Sequence, residues 1–255
     1  MVAARPDCKP ARARAWREVL EGFLQRHAAA IMSATVAGAA SRWSAQAMVA
    51  GRAVGWMRWS GLAAAALWLG SVLGFGLLHA GYSHLLHPVA LLGAKGVAHA
   101  QAFNLLGFIL PGALAGVMAI LLRLQLPQPE SWGVKVGAQL LFLSALGFIA
   151  MGLFALDPMQ LEGGSTQLHS TGWMLWWLTF LVGSWLLALG LMHHPAWPRL
   201  LWTGAALSLV MVFLAVISTA TLGPGLAQHL AFACWFGWLA VSSLWMPIAA
   251  PRRGR

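Results

Sequence analysis

The chain has 255 residues, 60% of them hydrophobic and 9% charged, with a formal net charge of +10. A soluble domain carries about 25% charged residues, so the composition excludes an ordinary water-soluble enzyme. The sequence pI near 11.5 comes with no nucleic-acid-binding motif, and attraction to anionic lipid headgroups accounts for it better.

Residues 1–58 form the first segment. They carry nine of the sixteen Lys and Arg residues. The stretch "ARARAWREVLEGFLQRH" (11–27) has the pattern of an amphipathic interfacial helix, with Trp16, Val19, Leu20, Phe23 and Leu24 on one face and Arg12, Arg14 and Arg17 for headgroups. "AAAIMSATVAGAAS" (28–41) has the small residues of a signal-peptide cleavage site. Cleavage there would leave Arg42, Arg52 and Arg58 on the outer side, against the charge bias described below. The segment is therefore expected to be a basic cytoplasmic or interfacial extension.

From residue 59 onward the chain changes character. No Asp, Glu, Lys or Arg occurs at 59–94, 96–122, 136–156, 163–198 or 200–251. A helix needs about 20 apolar residues to cross a bilayer, and the last window is long enough for two helices divided at "TLGPGLAQH" (221–229). Backbone groups in lipid must be bonded internally, which such long runs achieve as helices. The expected fold is all-α: a six-helix transmembrane bundle with spans at 59–79, 103–122, 136–156, 170–191, 200–220 and 228–248. Residues 59–248 make the membrane domain and 249–255 a short basic tail. Trp56, Trp59, Trp132, Trp197, Trp202 and Trp245 fall near span ends, as interfacial anchors do.

Lys and Arg counts set the orientation. The segment before 59, the loops at 123–135 and 192–199 and the tail hold 9, 2, 1 and 3 of them, whereas the opposite loops hold Lys95 alone. Both termini are expected in the cytoplasm of a multi-pass protein of the bacterial inner membrane. Cys8 and Cys234 lie in different compartments, the first in the tail and the second in the last span, and form no CxxC metal or haem motif.

Polar chemistry is concentrated on the other side. His79, His84, His87, His99, His169 and His229 all fall there, with Asp157 and Glu162, leaving His27, His193 and His194 inside. Asp157 closes the third span, at the negative end of the helix dipole, and His169 opens the fourth at the positive end. Each is placed against the simple preference for charge, which a cation or a mutual Asp–His hydrogen bond would relieve. In "LLHAGYSHLLHPVALLGAKGVAHAQAFNLLGFILPG" (77–112), His84 and His87 share a face if the stretch is helical. Asp157, His169, His79, His84 and His87 are the candidate metal ligands, and Asp157, His169 and Asn104 the candidate catalytic residues. Carboxylate and imidazole donors without thiolates suit zinc among other divalent ions. No HExxH spacing supports them. Tyr82, Ser83, Ser218, Thr219 and Thr221 lie at a similar depth.

"FNLLGFILPG" (103–112), "LGFIAMGLFALDP" (146–158) and "QLHSTGW" (167–173) resemble the bacterial and archaeal membrane family catalogued as domain of unknown function 998. The resemblance runs over roughly 59–248 and implies six helices. It places Gly152, Phe154 and Asp157 in the element closing the third helix, Leu168 and His169 in the element opening the fourth, and Asn104 at the asparagine of the second. Many members carry another histidine soon after the first, where this chain reads Ser170, Thr171, Gly172, Trp173. The family label implies no established activity.

Three classes of function are compatible with these residues. One is a metal-assisted hydrolase or lipid-modifying enzyme acting on membrane lipids at the outer leaflet. The second is an electron carrier with b-type haem or quinone, and the third a transporter, sensor or accessory protein. No charged residue lies mid-span to build an ordinary proton relay, and no P-loop, dinucleotide-binding glycine pattern or GxSxG elbow is present.

Overall fold

The computed structural model describes residues 55–128, 130–217 and 219–247, so the amphipathic segment, Cys8 and the basic tail lie outside the described residues. Among those described there are only helices and turns. Helix α1 is Ser60–Leu78, α2 Ala100–Gln125, α3 Trp132–Leu153, α4 Gly164–Gly190 and α5 Pro198–Ile217. A short turn of helix, Thr219–Leu222, leads to α6, Pro224–Trp245. Five helices, α1 (counted from Gly55) to α5, are long and apolar enough to cross a membrane. Helix α6 matches them in length, but Gln228, His229 and three tryptophans lower its hydropathy.

Neighbours in sequence pack antiparallel, and glycine decides how closely. Gly147 lies against Gly172 and Trp176, while Gly137 lies against Gly183 and Leu187. Small residues at such crossings let helix backbones approach, which replaces the hydrophobic drive that lipid removes. Ser144 Oγ adds a bond across the same α3–α4 seam, donating to Trp176 O at 2.8 Å. On α2, Gly112 and Gly116 face α3 in the same manner.

Helix α6 occupies the centre. Its Phe232, Trp235 and Phe236 meet Trp68 of α1, Phe108 of α2, Phe148 of α3 and Trp176 of α4. Phe148 and Trp235 stack with ring centroids 4.8 Å apart, and so do Trp68 and Phe236. Tryptophan thus serves two purposes here. Trp56, Trp59, Trp132, Trp202 and Trp245 are exposed at helix ends as expected, but Trp197 is buried, as are Trp68, Trp176, Trp235 and Trp238. The lipid-facing surface is apolar too: Leu69, Leu73 and Leu77 form an exposed stripe at four-residue spacing on α1.

The two ends of the bundle differ. Arg58, Arg123, Lys135 and Arg199 lie at the end where α1, α3 and α5 begin. Arg58 donates to Ser243 O of α6 at 3.2 Å, and the Arg199 guanidinium sits 4.1 Å over the Trp245 ring. The opposite end carries His79, His84, His87, Lys95, His99, Asp157, His169 and His229. Helix limits there correct the sequence reading in one respect. Helix α4 begins at Gly164 rather than near residue 170, because Ser165 and Thr166 bond back to the preceding loop and support a first turn. His169 therefore lies within the helix, not before it.

Candidate functional site at the histidine-bearing end

Where α3 stops at Leu153, its last carbonyls have no intrahelical partner. Among side chains from the start of α4, His169 donates at this helix end, while Ser165 and Thr166 bond the loop that follows. His169 Nδ1 lies 2.9 Å from Met151 O and 3.0 Å from Phe154 O. A carbonyl only accepts, so Nδ1 carries the hydrogen, and in the neutral ring Nε2 is left with its lone pair. Ser165 Oγ donates to Ala155 O at 2.6 Å, and Thr166 Oγ1 accepts from Asp157 N at 3.1 Å while donating to Gln160 O at 3.1 Å. His169 is 7% exposed, with its ring edge-on to Phe108.

Asp157 is fixed in the same corner by other bonds. Its Oδ1 accepts from Met159 N at 3.1 Å, a two-residue turn that fits Pro158 between them. Its Oδ2 meets Lys95 Nζ at 3.3 Å. Of the two remedies expected for a carboxylate at a helix C-terminus, the cation is the one present. No hydrogen bond joins Asp157 to His169 among the described residues. They share a corner through Thr166 and Phe154, each with its own partners.

Lys95 belongs to the loop between α1 and α2. Its backbone N–H donates to Leu156 O at 2.8 Å, so main chain and side chain both hold the loop against the α3–α4 corner. Below it, Asn104 Nδ2 donates to Gly93 O at 2.9 Å. Gly93 is required by that approach, since a Cβ there would overlap the Asn104 amide. Asn104 is buried and opens a π-helical segment, Asn104–Ile109, within α2. Pro111 has no N–H to give Gly107 O four residues back, which is the local reason the helix widens there. His99, just before α2, has φ 62°, the one non-glycine residue with positive φ among those described.

Between these parts lies a cavity of about 660 Å³ lined by polar Lys95, His99, Gln101 and Asn104 and by apolar Ile109 and Leu153 among others. A smaller cavity of about 240 Å³ is bounded by Pro88, Ala90, His169, Ser170, Trp173 and Gln228.

The other histidines form a separate group. The 79–99 stretch is turns with a short 3-10 segment, Val89–Gly93, rather than the helix on which His84 and His87 would share a face. His87 Nδ1 instead accepts from Ser83 N at 3.0 Å. His84 turns toward α6, where its Nδ1 lies 3.1 Å from His229 Nε2. His229 Nδ1 donates to Gly225 O at 2.7 Å, so in the neutral pair His84 donates and His229 accepts. Tyr82 OH is 3.5 Å from the same Nε2 and 3.3 Å from His87 O, and burial pushes its phenol pKa up. His79 only approaches the Tyr82 ring, with centroids 6.2 Å apart. Among the described residues no three His, Cys, Asp or Glu side chains are grouped to hold a metal ion. The candidate ligands are divided: His79, His84 and His87 around Tyr82, Asp157 on Lys95, and His169 on the end of α3. Sequence reasoning passed over Lys95 and its link to Asp157. The signal was its isolation as the single basic residue between 59 and 122.

A family model described as Protein of unknown function (DUF998) matches residues 62–245. No curated protein and no solved structure matches the chain. The match spans most of the chain and all six helices, and the chain belongs to that family.

Proposed function

We propose that this DUF998 member is a six-span protein of the cytoplasmic membrane that binds the headgroup of an outer-leaflet lipid in the cavity beside Lys95. Residues 1–58 and 249–255 lie in the cytoplasm in this reading, supported by fifteen basic residues on the side of the termini against Lys95 alone on the other.

The observation that carries the binding role is the cavity's make-up. Its lining combines polar Lys95, His99, Gln101 and Asn104 with apolar Val97, Ile109 and Leu153, and Leu153 is itself 62% exposed on the bundle surface. Sites for small molecules are concave, mostly apolar, and fixed by a few polar groups. A molecule with a polar head and an acyl chain suits this mixed lining. Turnover of that molecule by Asp157, His169 and Asn104 has less support, because each of the three hydrogen-bonds the protein's own backbone. Hydrolysis aided by a metal has less still, since the candidate ligands are divided.

Two measurements test the reading. Cysteines placed at 163 and 225 should react with an impermeant reagent from outside, and those at 129 and 195 should not; the reverse pattern overturns the topology. Lipid carried through purification should fall sharply when Asn104→Leu fills the cavity floor, with the protein still monodisperse. Unchanged lipid content overturns the cavity's role.

A further inference from the structure

We infer that the ligand of this cavity is a phosphate-bearing lipid and that Lys95 reaches its phosphate by exchange from Asp157; the inference rests on the headgroup-binding reading above. Lys95 is the one Lys or Arg among the described residues that line the cavity, and no Asp or Glu is among them. His99, Gln101 and Asn104 add uncharged or weakly basic polar groups around it. An anion is the ligand that such a wall favours, and phosphate oxygens take a lysine ammonium together with neutral donors.

The exchange follows from how the pair is held. The Lys95 side chain is 52% exposed, that of Asp157 15%. Ion pairs with an exposed partner are held weakly, because water screens them and both side chains lose freedom. Lys95 also keeps its backbone bond to Leu156 O whichever anion its ammonium meets, so its Nζ moves about a fixed root. Asp157 is not stranded by the departure, since Oδ1 retains the Met159 N–H. The carboxylate therefore acts as a resident competitor. It satisfies Lys95 while the cavity is unfilled and yields to a phosphate that brings an acyl chain against Ile109 and Leu153.

A competitor makes a signed prediction. Lys95→Gln should weaken retention of a phosphate-bearing lipid, whereas Asp157→Asn should strengthen it by freeing the ammonium. The full chain in nanodiscs is probed by native mass spectrometry with phosphatidylglycerol and with diacylglycerol of the same acyl chains. Wild type should hold phosphatidylglycerol over diacylglycerol by about tenfold, the scale of one charge-assisted contact. Lys95→Gln should bring that ratio near one, and Asp157→Asn should raise it by about threefold. Equal retention of both lipids by wild type would overturn the phosphate inference and leave the headgroup reading standing. Retention of neither would overturn both. Displacement of phosphatidylglycerol by millimolar glycerol phosphate or inorganic phosphate would assign the site to a soluble phosphate and overturn the lipid as its source. Should Lys95→Gln fail to fold, Asp157→Asn decides alone: no gain in the ratio refutes the competitor.

Discussion

His169 offers the sharpest separation of structure from chemistry. Its Nδ1–H serves two carbonyls at the end of α3, Met151 O and Phe154 O, at 2.9 and 3.0 Å, in a site where the residue is 7% exposed. His169→Ala removes the donor and leaves the Met151 carbonyl buried and the Phe154 carbonyl partly buried, which costs about 1–3 kcal/mol for an unmet buried polar group. Loss of the ring's packing against Phe108 adds about 1 kcal/mol, for a total of about 2–4 kcal/mol. His169→Asn separates the two contributions, because its amide nitrogen occupies the same δ position as the imidazole Nδ1. It should recover about half of the loss, through a hydrogen bond worth about 1 kcal/mol. Reversible unfolding in mixed micelles measures all three proteins. An alanine variant within about 0.5 kcal/mol of wild type, the range of ordinary surface changes, would refute the role in closing α3. An asparagine variant no better than alanine would refute the assignment of the hydrogen to Nδ1. Wild-type stability in His169→Asn with abolished ligand handling would place the function on Nε2, the atom the corner does not use.

Glycine packing gives a paired test. A Cβ at Gly147 would lie 2.7 Å from Trp176 N and 2.9 Å from Gly172 O, whereas at Gly74 nothing lies within 4 Å. Gly147→Ala should cost about 1–3 kcal/mol by overpacking, and Gly74→Ala should gain about 0.5–1 kcal/mol from helix propensity. Thermal unfolding in detergent reads the opposite signs, and equal shifts would refute the seam. Tyr82 gives a pH test. It is the single tyrosine of the chain, so phenolate absorbance reports it alone. Burial raises its pKa, and above about pH 10 the unfolded chain loses that proton first. The stability that Tyr82 contributes is thus full below about pH 10 and is lost as pH rises toward its folded value. Phenolate formation at the ordinary pKa in the folded protein would show an open site instead.

Helices at the six apolar runs were legible, five of them long and apolar enough to cross a membrane, because lipid leaves the backbone few alternatives to a helix. Their ends shifted by a few residues where side chains intervened, as at Gly164, where Ser165 and Thr166 carry α4 back toward the loop. Pairings across the sequence were not legible. Lys95 and Asp157 are 62 positions apart, His84 and His229 145 apart, and no periodicity marks such distances. The helix-end rule did show that Asp157 needed a cation, and charge counting had already isolated Lys95. Joining the two required only the observation that this end of the bundle holds no other Lys or Arg.

The same corner explains why polar residues in this chain look catalytic from sequence. In a soluble protein, water would satisfy the orphan carbonyls at the end of α3. Near a bilayer it is scarcer, so the protein must provide donors, and they stand out against an apolar sequence. His169 at the end of α3 and Asn104 on Gly93 O both donate to main-chain carbonyls, and are conspicuous in sequence before any chemistry is assigned to them. Lys95 is different. Its side chain is about half exposed, it closes no helix end, and its loop is already held through its backbone N–H. Backbone satisfaction accounts for the buried set and leaves the Lys95 side chain, whose partner is the Asp157 carboxylate, as the group free to exchange that partner for the proposed phosphate.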